Sequence, residues 1–234
     1  MPQIRFFGGL ISAMFALALL ASPAVPQIAE NDKRAIEDIV RQYILDNPEI
    51  IADAIARLRQ RDRLARAQSQ ARARDENAAR IYHNPLTPEM GNPNGDVTVV
   101  EFFDYQCGYC KRVFPVFKKV IASDRNLRVL MKELPILGPV SRFAARASMA
   151  AEKQGKFFAY HAALMELSGR LTEKRVIQTA RRVGLDIEIL VRDMADPAIE
   201  SYLDQTLELA QALGINGTPA FLFGDQLVPG AIEE

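Results

Sequence analysis

Two cysteines occur in the 234 residues, Cys107 and Cys110, and they stand three positions apart in the sequence Cys-Gly-Tyr-Cys. A chain that used disulfides as staples would scatter more of them and close longer loops, so this pair is read as chemistry. The apolar run VTVVEFF precedes it and a helical pattern follows it, which places Cys107 where a strand ends and a helix begins. Unpaired N–H groups and the positive end of a helix dipole favour a thiolate there. Cys107 is therefore the expected nucleophile towards a disulfide. Cys110, brought round by the first helical turn, is the expected resolving thiol. A metal site is the competing use. Zinc would need two more ligands, and the two histidines, His83 and His161, are single and far apart. Monovalent copper suits two thiolates alone, so a copper-binding thiol protein without turnover stays open as a rival. The histidines are expected in ordinary surface or helix-packing roles, with no metal among the site's requirements.

The elements that must position the pair can be followed along the chain. Residues 97–103 form an expected buried strand, 104–107 a turn, 110–122 a helix and 127–134 a second strand, so this stretch reads as a βαβ unit with a parallel pair. From Pro139 to Leu213 the pattern is helical, broken at Gly155, Gly169, Gly184 and Asp196-Pro197, and Ala220–Phe223 with Gln226–Val228 reads as a hairpin turning at Gly224-Asp225. The expected fold class is α/β: a strand–helix–strand unit, an inserted helical block over about 139–213, then two strands.

The N-terminal third has a different character. Residues 1–24 hold one charge, Arg5, an apolar run from Phe6 to Ala21 and Ser22-Pro23-Ala24, which reads as a cleaved export signal and predicts a periplasmic location. Residues 30–80 have no plausible strand. Ile36, Ile39, Val40, Tyr43 and Ile44 recur at helical spacing, Asn47-Pro48 interrupts, and a second helix follows with Ile51, Ile55 and Leu58 on one side. Such helices cannot bury their faces alone, and self-association is the expected outcome, making 30–80 an oligomerisation segment with a connecting helix. Between 57 and 80, eight arginines stand against Asp62, Asp75 and Glu76, a local balance of 8 − 3 = +5. Without interleaved aromatics this is read as a solvated helix, and with Lys+Arg and Asp+Glu both at 29 no nucleic-acid partner is expected. Residues 81–96, rich in Asn, Pro and Gly, are the expected linker to a catalytic domain over 97–234.

VVEFFDYQCGYC with the helix after it, ELPILGP at 133–139 and GINGTPAFLFGDQLVPGA at 214–231 together resemble the DsbA family of thiol oxidoreductases. The resemblance implies a thioredoxin-like fold and thiol:disulfide oxidoreductase activity, with the Cys107–Cys110 disulfide as the redox group and no other cofactor. It further implies a cis bond between Thr218 and Pro219, facing the cysteines and offering backbone to a substrate, and a buried acid at Glu101 able to take the proton of Cys110. Gly108-Tyr109 departs from the Pro-His of strongly oxidising members. It is similar to the dipeptide of periplasmic disulfide isomerases and of the oligomeric suppressor-of-copper-sensitivity C proteins, in which helices ahead of the catalytic domain hold copies together. The implied function is disulfide isomerase or reductase acting on exported cysteine-containing proteins. The implied partner is a membrane thiol donor of the DsbD kind, and the alternative is a net oxidase served by a DsbB-like oxidant. In the family the domain continues into a closing helix, whereas this sequence ends at Glu234, so a truncated sequence or a sheet face without that cover is expected.

Overall fold

The computed structural model describes residues 30–230, so the expected export signal at 1–24 and the last four residues lie outside the described residues. The described residues divide into two compact units, 30–60 and 61–230. In the first, helix α1 spans Glu30–Asp46, and Asn47-Pro48 separates it from α2, which spans Glu49–Glu76. Asn47 closes α1 by donating from both its backbone N–H and its side-chain amide to the Tyr43 carbonyl. From 31 to 60 every residue but Asn47 is exposed, including the apolar row Ile36, Ile39, Val40, Tyr43 and Ile44.

The second unit is built on a five-stranded sheet in the order β1-β3-β2-β4-β5. Its strands are β1 (Glu89–Gly91), β2 (Val97–Phe103), β3 (Leu127–Glu133), β4 (Ala220–Phe223) and β5 (Gln226–Pro229). Only β2 and β3 run parallel, joined by α4 (Gly108–Ser123). The remaining neighbours are antiparallel. Strand alternation divides the apolar residues between two faces. Val99, Phe103, Val129, Met131 and Phe221 join the larger core with α4 and the helical block. Val100, Phe102, Leu130, Ala220 and Leu222 join a smaller one. The block comprises α5 (Pro139–Glu152), α6 (Phe157–Met165), α7 (Glu173–Arg182), α8 (Ile187–Met194) and α9 (Pro197–Ala212). Its breaks fall at the expected glycines, and Thr172, Asp186 and Asp196 cap α7, α8 and α9 with side-chain oxygens.

The segment read as a linker, 81–96, is more ordered than its composition predicts. Met90 of β1 is buried, with Glu89–Gly91 paired to Arg128–Leu130. Just ahead of it α3 (Ala78–Tyr82) sends Ile81 wholly into the smaller core, against which Ala73 of α2 also packs. The end of the arginine-rich helix is therefore part of the catalytic unit rather than a free connector.

Candidate active site: the Cys107–Cys110 helix terminus

The site begins where β2 runs out. Asp104, buried, binds the turn after it: its Oδ1 accepts from the Gln106 N–H at 2.7 Å and the Ser141 hydroxyl at 2.6 Å, and its Oδ2 accepts from the Leu137 N–H at 2.9 Å. An Asx turn of this kind reverses the chain without a glycine. The Asp104 carbonyl then accepts from the Cys107 N–H at 3.0 Å, which fixes Cys107 as the N-cap of α4.

At a helix N-cap a side chain ordinarily supplies an oxygen to a free N–H; here a sulfur takes that place, accepting from the Cys110 N–H at 3.1 Å. The Cys110 thiol donates to the same sulfur and is the main reason the Cys107 pKa falls to about 6 against the opposing cost of burial. Hydrogen bonds from Thr218 and from the backbone of Cys110 and Tyr109 add to the lowering. The lowered pKa favours the thiolate at neutral pH. Cys110 moves the opposite way: burial, donation to Cys107, and the charges of Cys107 and Glu101 hold its thiol protonated. Both cysteines are free thiols, and Cys107 is 4% exposed.

Opposite Cys107 the chain enters β4 through a cis Thr218–Pro219 peptide. The Cys107 thiol donates to the Thr218 carbonyl at 3.2 Å, a contact that ionisation gives up. Glu101 sits six residues back on β2, registered between Met131 and Phe221 and 3% exposed. Its Oε2 has no hydrogen-bond partner, and desolvation, with the Cys107 charge second, pushes its pKa up to about 8. Gly108 has open space where a Cβ would stand, so no local crowding demands glycine there. Tyr109 is 58% exposed, with the Arg112 guanidinium 4.2 Å from its ring centre. The structure thus brings Cys107, Cys110, Glu101, Thr218 and Pro219 together and leaves Tyr109 at the rim.

Sequence reasoning missed a second polar group beneath the site. The Tyr105 hydroxyl donates to Glu133 Oε1 at 3.0 Å and meets Ser148 Oγ at 2.6 Å and His161 Nδ1 at 3.0 Å, all four residues being buried. Burial raises Glu133 well above the usual carboxylate range, against the hydrogen bonds from Tyr105 and Ser148, and lowers His161 to about 3, which keeps the imidazole neutral at physiological pH. His161 packs among Phe103, Phe114 and Phe157, a helix-packing place of the kind expected for it. The signal available for Glu133 was its position at the end of a strand whose two faces are both covered. Among the described residues no group of three or more His, Cys, Asp or Glu is placed to hold a metal ion.

Known proteins are similar to this chain in sequence and fold. Residues 98–234 match the family described as DSBA-like thioredoxin domain, and residues 32–65 match the copper resistance protein ScsC N-terminal domain. A thioredoxin-like oxidoreductase from Silicibacter pomeroyi DSS-3 is 50% identical, covering 66% of this chain and 90% of that one at a TM-score of 0.65. A linker-deletion mutant of Proteus mirabilis ScsC is 26% identical and covers 91% of this chain and 93% of its own, TM-score 0.66. A periplasmic thioredoxin-like protein from Salmonella enterica serovar Typhimurium is 30% identical over 67% of this chain and 88% of its own, TM-score 0.61. The first curated relatives are much longer. The Na(+)/H(+) antiporter NhaA 3 of Salinispora tropica is 28% identical over 143 residues, 58% of this chain and 22% of that protein, so the chain spans less than a quarter of its length.

Proposed function

The chain belongs to the DSBA-like thioredoxin-domain family and is a thiol:disulfide oxidoreductase, and from that premise we propose that it works as a disulfide isomerase or reductase on exported proteins. The Cys107 thiolate attacks one sulfur of a client disulfide, forming a mixed disulfide and releasing the other client sulfur as a thiolate. The adduct then has two exits. If the freed client thiolate, or another client cysteine, attacks the mixed disulfide, a rearranged client disulfide forms and Cys107 is regenerated with no net electron transfer. If Cys110 attacks Cys107 Sγ instead, the client leaves with two thiols and the protein keeps the Cys107–Cys110 disulfide, its only redox group in this scheme, to be reduced by a membrane thiol donor of the DsbD kind. The Cys110 proton has a nearby acceptor in the carboxylate form of Glu101, which is the minor form at neutral pH while Cys107 is charged and is favoured once the mixed disulfide removes that charge, the second cause of the raised pKa.

The observation that carries the reading is the sulfur-capped helix, which splits the two thiols into a thiolate and a protected acid. The choice of isomerisation over net oxidation rests on the exposed apolar row of α1, which suits association of several copies around one client. The location is proposed as periplasmic. Support comes from the expected signal at 1–24, and among the described residues no helix is long and apolar enough to cross a membrane. The test is reactivation of a scrambled multi-disulfide protein by the chain from Val25, compared with the chain from Arg61. Reactivation by the longer form alone supports an assembled isomerase; rapid oxidation of a reduced peptide by both, with reactivation by neither, makes the protein a net oxidase.

A further inference from the structure

Beside Gly108 a groove of about 620 Å³ runs between α4 and the loop from Met165 to Leu171. Its floor is apolar, with Phe114, Met165 and Leu171 buried. Its rim is cationic: Lys111, Arg112 and Arg170 line it, and Arg175, which donates to the Arg170 carbonyl at 2.7 Å, stands behind. Lys111 donates to the Leu167 carbonyl at 2.8 Å, and the Arg112 guanidinium lies over Tyr109. Among the described residues none of these four cations is paired with a carboxylate. Elsewhere in the unit Arg128 and Lys153 each hold one, Arg142 holds two, and the groove's own Glu166 is taken by Lys118 at 2.9 Å. In a chain whose net charge is zero, three cations without a carboxylate partner, Lys111 and Arg112 on α4 and Arg170 in the loop, line one groove beside the nucleophile, with Arg175 of α7 behind them.

Resting on the thiol-exchange reading above, we propose that this groove selects its clients: it binds an extended segment with carboxylate side chains a few residues from the reacting cysteine. The distance is set by the helix. From Gly108 to Pro115 α4 rises about 10 Å at 1.5 Å per residue, the length of about three residues of extended chain. A carboxylate two to four positions from the client cysteine then meets Arg112 or Arg170 while its sulfur faces Cys107, and an apolar neighbour reaches the floor. The attraction acts on encounter and on the lifetime of the mixed disulfide, and because Arg112 and Arg170 are exposed it is screened by salt.

The test uses the reduced full chain and three peptides, each with one cysteine held as a mixed disulfide with a small uncharged thiol. The peptides differ only in carrying Glu-Glu, Gln-Gln or Lys-Lys at the third and fourth positions after the cysteine. Second-order rate constants for release of the small thiol are expected to favour Glu-Glu over Gln-Gln by about fivefold, and over Lys-Lys by more, at low ionic strength, the spread closing to about twofold in high salt. The double variant Arg112→Glu/Arg170→Glu reverses the order, and Arg170→Gln alone narrows it. Equal rates for all three peptides with the native chain, or an order the variants leave in place, overturn the groove proposal while leaving the redox chemistry standing. A chain that reacts with none of the peptides overturns the redox reading and the groove with it.

Discussion

Ile39 on α1 is 67% exposed and Val100 on β2 is wholly buried, although both are aliphatic residues in regular elements. The contrast holds along both regions. Residues 99–103 lie in a strand covered on both faces from within the same unit, so the site at its end stands on a closed core. Residues 31–60 present apolar side chains at helical spacing, and nothing among the described residues of their own unit covers them. A row of that kind costs free energy in water until another surface removes it. Among the described residues the catalytic unit holds both thiols on its own core, whereas the helices of the N-terminal unit leave an apolar row uncovered. Chemistry and assembly should be separable by mutation.

The strongest way to break that separation is at the sulfur. Cys107→Ala should lower the rate against a small aromatic disulfide by at least about a thousandfold, because the nucleophile is the reaction. It should leave the sedimentation coefficient unchanged. Cys110→Ala should instead accumulate mixed disulfides with clients, detectable on a non-reducing gel, since attack can occur but the exit through Cys110 is closed and only a client thiol can release the adduct. A Cys107 variant that both loses activity and changes its assembly would show that the two units are not independent.

The converse deletion starts the chain at Arg61. It should turn an assembly into a monomer, as read by light scattering, and abolish reactivation of a scrambled protein. The rate constant against a small disulfide should stay within about twofold. The cut must not fall later: starting at Tyr82 would remove Ile81 and Ala73 from the smaller core, and truncating a buried Ile alone costs about 2–5 kcal/mol. Loss of the small-disulfide reaction in the chain from Arg61 would mean that the catalytic unit is not self-sufficient.

Within the catalytic unit Glu101 gives a pH-dependent effect. Its folded pKa of about 8 lies above the ordinary value of 4.5. The protein therefore binds this proton more tightly folded than unfolded, and the stability it contributes is full below about pH 4.5 and falls as pH rises towards 8. The span corresponds to roughly 3–5 kcal/mol, an upper bound. Glu101→Gln removes the titration, so in urea denaturation the variant should match the native chain at pH 4 and exceed it by a few kcal/mol at pH 8.5. The same substitution should slow resolution of the mixed disulfide, by removing the acceptor for the Cys110 proton. In a Cys107→Ala background the stability gain should shrink, since the Cys107 charge is the second cause of the raised pKa. A pH-independent difference would place Glu101 in contact with water.

The sequence made the site's backbone legible because its signals are local: an apolar β-branched run, a CxxC at the helix start, a Thr-Pro before a short strand and Gly224-Asp225 between two others. β1 was illegible because three residues with one buried side chain, Met90, leave no periodicity to read. Lys132 and Glu133 were passed over as ordinary polar strand residues. They are consecutive, so the pleat sends them to opposite faces, and since both faces are covered both are buried: Lys132 donates to the Arg80 carbonyl and Thr87, Glu133 accepts from Tyr105. Asp104 was read only as part of a turn, because its partners Ser141 and Leu137 come from a segment more than thirty residues away. Long-range partners decide these roles, and one-dimensional patterns do not carry them.

The smallest effect sharpens the comparison furthest. Ser141→Ala removes one of the three hydrogen bonds on buried Asp104 and also strips Gln106 of an acceptor. Losing a bond to a buried carboxylate costs about 1–3 kcal/mol. Because every partner lies in one chain, the loss of stability should be the same at any protein concentration. Ile39→Ala on α1 removes a side chain that is 67% exposed in the single chain, so little is lost within one copy. If α1 is covered by other copies, its cost appears only through association, and the shift in melting temperature should vary with protein concentration. Melting curves of both variants over a hundredfold range of concentration separate the two behaviours: parallel, concentration-independent shifts for both would leave α1 without a partner copy and remove the basis for an assembled isomerase.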